Sequence, residues 1–410
     1  PHHCKPVKPL PTRKSEEKVP WFDCYSAPCR GGCPIAQDIP EYLELCRKGL
    51  YNEALALITE RNALPFITGT ICAHRCMGKC TRNFYEDPVQ IRAAKLLAAE
   101  KGIDARMASV VRPAPVPGKR AAIIGGGPTG IAAAYFLGRA GVACTIFERT
   151  GKLGGIVRHV IPAFRISDEA IDRDIALMQA YGAEVRLNTE APSVEELHKM
   201  GYTHILYATG AWKPGKLNIP GNVRGVIGWM QERKAGANEP LGHVAVVGGG
   251  NTAMDAARVA KRGGAASVTL VYRRTRRFMP ADAQELELAM QDGVDFLELA
   301  APVKQENGVL TCEKMRLGEP DASGRRSPVP TGETVELPCD LVISAVGEQV
   351  EEQVFTDNGI TLSAKGRPAF CTNVPGVYAA GDALRGPATV VEGIADAARF
   401  AEAVIGAPHT

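Results

Sequence analysis

The sequence has no unbroken apolar run of about 20 residues, the length that a membrane-spanning helix requires. Its 48 basic and 45 acidic side chains leave a net charge of only +3, so neither nucleic-acid nor membrane affinity is expected. No apolar signal region stands near the start, and secretion is not expected. The eight histidines form no triad and no metal-binding group, and His2 and His3 stand in a proline- and lysine-rich arm.

The first glycine-rich motif stands between a predicted strand and a predicted apolar helix. Residues 125–130 read G-x-G-x-x-G, the strand before them covers 120–124, and Glu148 stands at the end of the next strand. Glycines let the backbone approach a pyrophosphate, the helix amino terminus offers N–H groups, and Glu148 can accept from both ribose hydroxyls. This context predicts a dinucleotide site, with a plain strand-turn-helix as the alternative. Its contacting residues are Gly125, Gly127, Pro128, Thr129 and Gly130.

A second copy of this unit begins with the strand at 243–247 and the glycine turn at 248–253. The repeat implies two nucleotides. Where the first unit has its acidic residue, the second has Arg273 and Arg274. A carboxylate there would repel a 2′-phosphate, whereas paired guanidinium groups bind one, so NADPH is favoured over NADH. A solvated basic turn is an alternative, and a nucleic-acid patch is disfavoured because no aromatic stacking surface accompanies the arginines.

A third motif, Gly381-Asp382, follows a predicted strand at 377–380. Alone it would be an ordinary turn. After a nucleotide fold it suits a flavin ribityl-phosphate contact, with Thr389 at the start of the next helix facing the isoalloxazine end. Because this strand comes after the second unit is complete, we expect the chain to return to its first domain. The second domain is then an insertion.

The twelve cysteines include no C-x-x-C pair, so neither the usual zinc pair nor a thioredoxin-type motif is present. Six are closely spaced, as C-x4-C-x3-C-P at 24–34 and C-x3-C-x3-C at 72–80. Disulfide frameworks are typical of small secreted chains, whereas this chain is long enough for two or three cores. The pattern favours metal binding in a reducing compartment, and the cytoplasm is the expected location. The scattered cysteines, Cys144, Cys312, Cys339 and Cys371, are expected to pack as small apolar residues.

The Cys33-Pro34 pair resembles the bacterial ferredoxin sequence, in which the cysteine before proline binds the other cluster. By analogy, Cys33 binds a different cluster from Cys24 and Cys29, together with two of the later cysteines. Two [4Fe-4S] clusters are favoured, with one cluster, structural zinc or unligated thiols as alternatives. A redox-active disulfide between Cys24 and Cys29 is disfavoured because the pair precedes both nucleotide domains.

The predicted fold class is α/β, with two Rossmann-like domains of the glutathione-reductase type, one inserted in the other, behind a small all-helical iron-sulfur domain. Helices are expected over 39–62, with a break at Gly49, and over 91–101; the proline-rich residues 112–118 predict a linker. The predicted segments are an extended arm (1–20), the helical [4Fe-4S] domain (21–112), the first segment of the FAD domain (113–211), the inserted NADPH domain (212–347) and the second segment of the FAD domain (348–410).

Together these features resemble the small subunit of bacterial glutamate synthase and its relatives, from residue 21 to the carboxy terminus. The resemblance also lies in three strings at 154–156, 161–165 and 248–255. The family includes the amino-terminal part of dihydropyrimidine dehydrogenase, a subunit of a flavin-bifurcating transhydrogenase and a selenate reductase type.

The resemblance implies FAD in the outer domain, NADPH in the inserted one and two [4Fe-4S] clusters. It assigns FAD contacts to Gly154, Gly155 and Arg165, and nicotinamide-nucleotide contacts to Gly248, Gly250, Asn251, Thr252 and Gly347. One cluster takes Cys24, Cys29 and Cys80, and the other takes Cys33, Cys72 and Cys76. The sequence departs from the family pattern at Trp21, where relatives have a further cysteine, and at Lys95, where they have Gln or Glu. Cys4 is the candidate for the first missing ligand, and Gln90 or Glu86 for the second; Cys46 is expected in the core.

We therefore predict an electron-transfer flavoprotein subunit that takes hydride from NADPH and delivers single electrons to a catalytic or electron-accepting subunit in a hetero-oligomeric complex. Hydride transfer between two positioned cofactors needs no general base, so no catalytic side chain is assigned. One alternative is reverse flow, in which a bifurcating, hydrogenase or formate-linked complex drives the reduction of NADP+. The other is a zinc-containing, nucleotide-binding scaffold. No nucleic-acid or membrane partner is expected.

Overall fold

The computed structural model describes residues 27–321, 324 and 326–406. The predicted arm and the candidate ligands Cys4 and Cys24 lie outside the described residues. The chain forms two compact units. The first contains the described residues up to Gly155, Arg165–Gly210 and those from Glu352 onward, and the second contains Ile156–Phe164 and Ala211–Glu351.

The helices follow the predicted helical segments closely. The predicted break at Gly49 lies between the helix that ends at Arg47 and the one that begins at Tyr51, and the helix predicted over 91–101 continues to Ala108. They are α1 (Pro28–Gly31), α2 (Ile39–Arg47), α3 (Tyr51–Arg61), α4 (Pro65–Ile71), α5 (Arg75–Gly78), α6 (Ile91–Ala108), α7 (Pro128–Arg139), α8 (Gly155–His159), α9 (Asp168–Ala180), α10 (Val194–Lys199), α11 (Val226–Lys234), α12 (Asn251–Arg262), α13 (Ala283–Gln291), α14 (Gln353–Thr356), α15 (Asp382–Arg385) and α16 (Val390–Ile405).

The strands include all four that the sequence predicted beside the glycine motifs. They are β1 (Arg120–Ile124), β2 (Ala143–Phe147), β3 (Glu184–Arg186), β4 (His204–Tyr207), β5 (Lys213–Pro214), β6 (Val223–Gly225), β7 (His243–Val247), β8 (Ser267–Tyr272), β9 (Asp295–Glu298), β10 (Ala300–Glu306), β11 (Val309–Pro320), β12 (Arg326–Pro338), β13 (Leu341–Ser344), β14 (Glu348–Gln349) and β15 (Val377–Ala379).

The first unit is built on a parallel sheet in the order β15-β4-β1-β2-β3. Four of the five residues of β1 are buried, as expected for a central strand covered on both faces. Ile124 ends β1 opposite Phe147 and Tyr207, so the carboxyl ends of three strands meet at one edge. The last strand of the chain pairs with β4 in this sheet. The predicted return of the chain to its first domain is therefore confirmed.

The helical segment before this sheet has its own core, which includes Ile39, Tyr42, Leu55, Ile58, Phe66 and Ile103. This segment, predicted as the domain 21–112, packs against the sheet within the first compact unit. Buried polar contacts explain this: the Asp174 carboxylate on α9 accepts the backbone N–H groups of Phe66 and Ile67 at 3.0 and 2.8 Å. The Tyr135 hydroxyl on α7 likewise donates to the Thr59 carbonyl at 2.9 Å.

The second unit has a parallel sheet in the order β6-β13-β7-β8-β9 and an antiparallel sheet β10-β11-β12. The antiparallel sheet was not predicted. Residues 156–164, predicted to lie in the FAD domain, belong to this unit. Val160 lies in its core, and the guanidinium carbons of Arg258 and Arg262 lie 4.8 and 4.2 Å from the centre of the Phe164 ring. The predicted inserted domain, which begins at residue 212, thus leaves out this earlier segment.

The isolated cysteines behave as predicted with one exception. Cys144, Cys312 and Cys339 are buried, and Cys46 packs partly buried against the helical core. Cys371 is exposed, so its predicted core position is wrong. Within the described ranges of the chain, no helix is both long and apolar enough to cross a bilayer.

Candidate functional site

The first glycine turn follows β1 and leads into α7 in a conformation that requires glycine. Gly125 has a φ of +104°, and a Cβ on Gly130 would lie 2.0 Å from the Gly125 carbonyl oxygen. Gly127 caps the amino terminus of the 12-residue helix α7, whose first N–H groups have no partner within the helix. This backbone cradle fits the pyrophosphate of a dinucleotide.

Glu148 ends the neighbouring strand and closes this turn. Its side chain is 7% exposed, and Oε2 accepts the Gly126 N–H at 2.7 Å. Oε1 accepts the backbone N–H and the hydroxyl of Thr150, both at 2.8 Å. The carboxylate predicted for the ribose hydroxyls therefore also fixes the backbone of the turn.

Two further glycine motifs pack against the first turn. The Gly154 N–H donates to the Gly126 carbonyl at 2.8 Å, and a Cβ on Gly155 would lie 2.8 Å from the Gly127 Cα. A Cβ on Gly381 would lie 2.3 Å from the Thr129 hydroxyl oxygen. The structure therefore brings together four of the segments predicted to bind FAD, at 125–130, 148, 154–155 and 381–382. Arg165 is half-buried and begins the following segment of the same unit.

Asp396 is a site residue that the sequence analysis missed. It is 2% exposed on α16, and its Oδ2 accepts the Gly381 N–H at 3.1 Å. Both of its oxygens also accept from the Arg385 guanidinium, at 2.7 and 2.5 Å. Asp396 thereby holds Gly381 at its φ of +64°.

The second unit has an equivalent turn between β7 and α12. A Cβ on Gly248 would lie 2.3 Å from the Ala345 carbonyl oxygen, and Gly250 caps α12. Asn251 Oδ1 accepts the Asp282 N–H at 2.9 Å. The Gly347 carbonyl accepts the Gly215 N–H at 2.7 Å. The turns at 248–252 and 345–347, both predicted to contact the nicotinamide nucleotide, therefore lie side by side.

Thr252 in this turn hydrogen-bonds the side chain of Glu348, which follows Gly347. Burial raises the pKa of Glu348, and the hydrogen bond from Thr252 acts in the opposite direction. The first turn of α12 is thus tied to the residue after the neighbouring loop.

The two arginines predicted to hold a 2′-phosphate are not equivalent. Arg273 is exposed, whereas Arg274 is 7% exposed and its Nε donates to the Arg326 carbonyl at 3.0 Å. Arg274 therefore packs against β12, and the pair is not presented together as the sequence suggested. The exposed guanidinium groups at this turn belong to Arg273, Arg276 and Arg277.

The cysteine-rich segment surrounds a cleft in the first unit, which we call the thiol cleft. Cys33, Cys72 and Cys76, the residues predicted to bind one cluster, all line it. Val391, in the first turn of α16 and two residues after Thr389, lines the same cleft. The thiols therefore lie beside the helix whose amino terminus was assigned to the flavin.

The electrostatics of the cysteines reflect this packing. Burial raises the pKa of Cys76 to about 11, and neighbouring Cys72 contributes to the rise while Lys95 opposes it. Burial also raises the pKa of Cys29, and Cys80 and Cys33 are charge neighbours that add to the effect. Cys29 and Cys80 are thus close enough to interact, as their assignment to one cluster requires; Cys24 and Cys4 lie outside the described residues.

The donor set fits iron-sulfur binding better than a single ion. Among the residues that the structure describes, no three Cys, His, Asp or Glu side chains converge closely enough to hold one metal ion. In an iron-sulfur cluster each thiolate binds a different iron atom, so the ligand sulfurs surround a volume instead of a point. Three soft thiols around the thiol cleft satisfy that requirement.

The residues suggested for the missing ligand of this cluster do not line the cleft. Glu86 pairs with Arg82 at 2.6 Å, and Gln90 is exposed. Three side chains from α6 do line it, those of Ile91, Arg92 and Lys95.

Comparison with known families agrees with this geometry. The family model described as pyridine nucleotide-disulphide oxidoreductase matches residues 119–397, and the one described as dihydropyrimidine dehydrogenase domain II, 4Fe-4S cluster, matches residues 13–106. Fold and sites thus define a member of the FAD- and NADPH-binding oxidoreductase class with an amino-terminal 4Fe-4S domain. FprA of Mycobacterium tuberculosis in complex with NADPH has a similar fold, with a TM-score of 0.61 at 20% identity over 70% of this chain and 84% of that chain.

The chain belongs to the glutamate synthase small-chain family. It is 30% identical to the glutamate synthase [NADPH] small chain of Escherichia coli (strain K12), over 94% of this chain and 89% of that protein. It is 35% identical to the NADPH-Fe(3+) oxidoreductase subunit beta of Geobacter sulfurreducens, over 96% of this chain and 65% of the relative. It is also 35% identical to the NADP(+)-dependent formate dehydrogenase subunit beta of Moorella thermoacetica, over 92% and 59%. Relatives at 35% to 42% identity are longer, and the chain spans 40% to 65% of their length.

Proposed function

We propose that this chain is an electron-input subunit: a hydride passes from NADPH to FAD, and its two electrons leave singly through two [4Fe-4S] clusters to a partner subunit. The observation that carries the proposal is the thiol cleft. Cys33, Cys72 and Cys76 share that cleft with Val391, which lies in the first turn of α16, the helix capped by Thr389. A cluster there would lie next to the flavin, a short distance for electron transfer.

The protein residues in this scheme bind and position the cofactors. The turns at 125–130 and 248–252 hold the two pyrophosphates, and Asp396 fixes the Gly381 turn against Thr129. Bound FAD supplies the chemistry that converts a two-electron donor into one-electron steps. Alignment of the reacting atoms then provides the rate enhancement without a proton-transfer residue.

The proposal includes a second cluster and a protein partner. A second cluster rests on Cys29 and Cys80, which interact electrostatically and are not among the residues that line the thiol cleft, although Cys33 in that cleft is also a charge neighbour of Cys29. The names "subunit beta" in Geobacter and Moorella support a hetero-oligomeric complex. NADPH and thiolate ligands both suit a reducing compartment, so we place the protein in the cytoplasm.

Replacing one thiol tests the scheme. In Cys76→Ser we expect anaerobic NADPH to bleach the flavin at the wild-type rate, while the reduced signal of one cluster disappears from the EPR spectrum. Electron delivery to an added one-electron acceptor should fall at least tenfold. Cys371→Ser, at an exposed cysteine outside the thiol cleft, is the matched control. If wild-type clusters stay oxidised after NADPH has reduced the flavin, the scheme is wrong.

Reverse flow is a second candidate, favoured by the name of the Moorella relative, an NADP(+)-dependent formate dehydrogenase subunit beta. The same residues would then hold the cofactors while electrons enter at the clusters, reduce FAD and are transferred as a hydride to NADP+. Redox titration of each centre separates the two directions. Cluster potentials below that of NADPH favour reverse flow, and higher potentials favour electron input.

A further inference from the structure

Lys95 is a buried cation in the wall of the thiol cleft. It extends from α6, is 6% exposed and lines the cleft with the three cysteines. Among the described residues its ammonium group has neither a hydrogen-bond acceptor nor an ion-pair partner in contact; Cys76 and Asp174 are its charge neighbours. Burying a charge without a partner costs free energy, so a negatively charged group bound in the cleft would be stabilised there.

The rest of the cleft wall also lacks a counter-charge. No Asp or Glu lines it among the described residues, and its other cations are already engaged. Arg75 pairs with Glu392 at 2.9 Å, and Arg92 donates to the Cys72 carbonyl at 3.2 Å. Of these three cationic side chains, Lys95 is the buried one.

Tyr42 adds a second donor to the same wall. It is 1% exposed, and its hydroxyl has no hydrogen-bond partner among the residues that the structure describes. An ammonium and a hydroxyl that face three thiols form a site for an acceptor-rich, negatively charged group. An iron-sulfur cluster with thiolate ligands has that character, because its sulfur atoms accept hydrogen bonds.

We propose that Lys95 is the fixed counter-charge of the cluster held by Cys33, Cys72 and Cys76, and that it raises the reduction potential of this cluster without binding iron. The inference rests on the proposed function in requiring a cluster in the thiol cleft. Reduction adds one electron and hence one negative charge to the cluster. A positive charge held beside it in a medium of low dielectric constant favours the reduced state. Lys95 therefore acts through its charge, which makes reduction of this cluster more favourable.

The test is an EPR-monitored redox titration of the anaerobically purified full chain, with dithionite and mediators instead of NADPH. Lys95→Met removes the charge and keeps the length of the side chain; the variant should fold, since it removes a buried charge that lacks a partner. We expect the equilibrium constant for reduction of one cluster to fall at least tenfold, a shift of about 59 mV to more negative potential for one electron. Lys95→Arg should keep most of the wild-type potential. Lys101→Met, on the exposed face of the same helix, should leave the reduction potentials of both clusters unchanged.

Each other outcome overturns the inference in a recognisable way. An unchanged potential in Lys95→Met, with full iron and sulfide content, removes the electrostatic role. Loss of one iron in that variant, with the EPR signal of an oxidised three-iron cluster, shows that Lys95 is a ligand instead. Both results leave the proposed function intact. Absence of iron and labile sulfide from the anaerobic wild-type protein would overturn the proposed function together with this inference.

Discussion

At the scale of single residues, Asp174 couples the stability of the first unit to pH. It is fully buried, and burial raises the pKa of its carboxyl to about 8, while the N–H groups of Ile67 and Phe66 act against that rise. In the unfolded chain the pKa is about 3.9. The folded state therefore binds more protons between these values, and the free energy of unfolding falls as the pH rises from about 4 to about 8.

We expect Asp174→Asn to remove this pH-dependent fall, because an amide does not titrate. Urea unfolding at pH 5 and pH 8 measures the difference for wild type and variant. Asp172→Asn, on the exposed side of the same helix, serves as the control and should keep the wild-type dependence. Equal losses of stability between the two pH values in wild type and Asp174→Asn would contradict the assignment.

Gly381 is a position where a single methyl group should expel the flavin. Its φ of +64° already disfavours other residues, and the added Cβ would lie 2.3 Å from the Thr129 hydroxyl oxygen. We expect Gly381→Ala to lower FAD affinity at least tenfold, measured by reconstitution of the apoprotein. Gly359→Ala is the matched control, since Gly359 has a φ of +70° but open space around its Cα. Wild-type FAD content in Gly381→Ala would refute the proposed role.

The residues that the sequence could predict are those with a local signal. The glycine turns at 125–130 and 248–253 follow apolar strands, and both turns form as predicted. Asp396 could not be found in this way, because an acidic residue on a helix is usually solvated and its partner Gly381 lies far away in the chain. The burial of Arg274 could not be predicted, because its contact with the Arg326 carbonyl depends on a strand that was not predicted.

At the scale of secondary-structure elements, one ion pair joins the cysteine-rich segment to the helix at the flavin site. Arg75 on α5 and Glu392 in the first turn of α16 lie 2.9 Å apart, with side chains 56% and 20% exposed. An exposed pair contributes about 0 to 1 kcal/mol to stability. Its contribution to positioning is more important, because it fixes a short helix that contains Cys76.

We expect Arg75→Met to leave the midpoint of thermal unfolding nearly unchanged and to slow electron transfer from the reduced flavin to the cluster several-fold. Stopped-flow absorbance measures this as the delay between flavin bleaching and cluster reduction. Arg82→Met breaks the exposed pair with Glu86 and is the control. A delay that is the same in Arg75→Met and wild type would show that the ion pair has no positioning role.

The strands β10 to β12 show why some elements escaped prediction. Few of their residues are buried, with Leu310 and Cys312 among them, so the alternation of apolar and polar residues is weak. Pro328 and Pro330 argue against a strand in the sequence. The structure places them in β12, at the edge of the sheet, where a missing N–H group costs little.

At the scale of the whole molecule, the number of nucleotide units was predictable because each begins with its own strand and glycine turn. The assignment of residues 156–164 was not. These residues follow the Gly154-Gly155 motif of the first unit, but Val160 and Phe164 pack in the second. A packing partner that lies far away in the sequence leaves no periodic signal.

The return of the chain to β15 and α16 sets an order for biosynthesis. The ribosome delivers the whole second unit before it translates Glu352 and the segment that completes the first sheet. A nascent chain interrupted between these points holds every residue of the nicotinamide turn but lacks Gly381 and Asp396, which shape the flavin site. If these residues bind the flavin as proposed, we expect FAD to load late, after translation has passed α16.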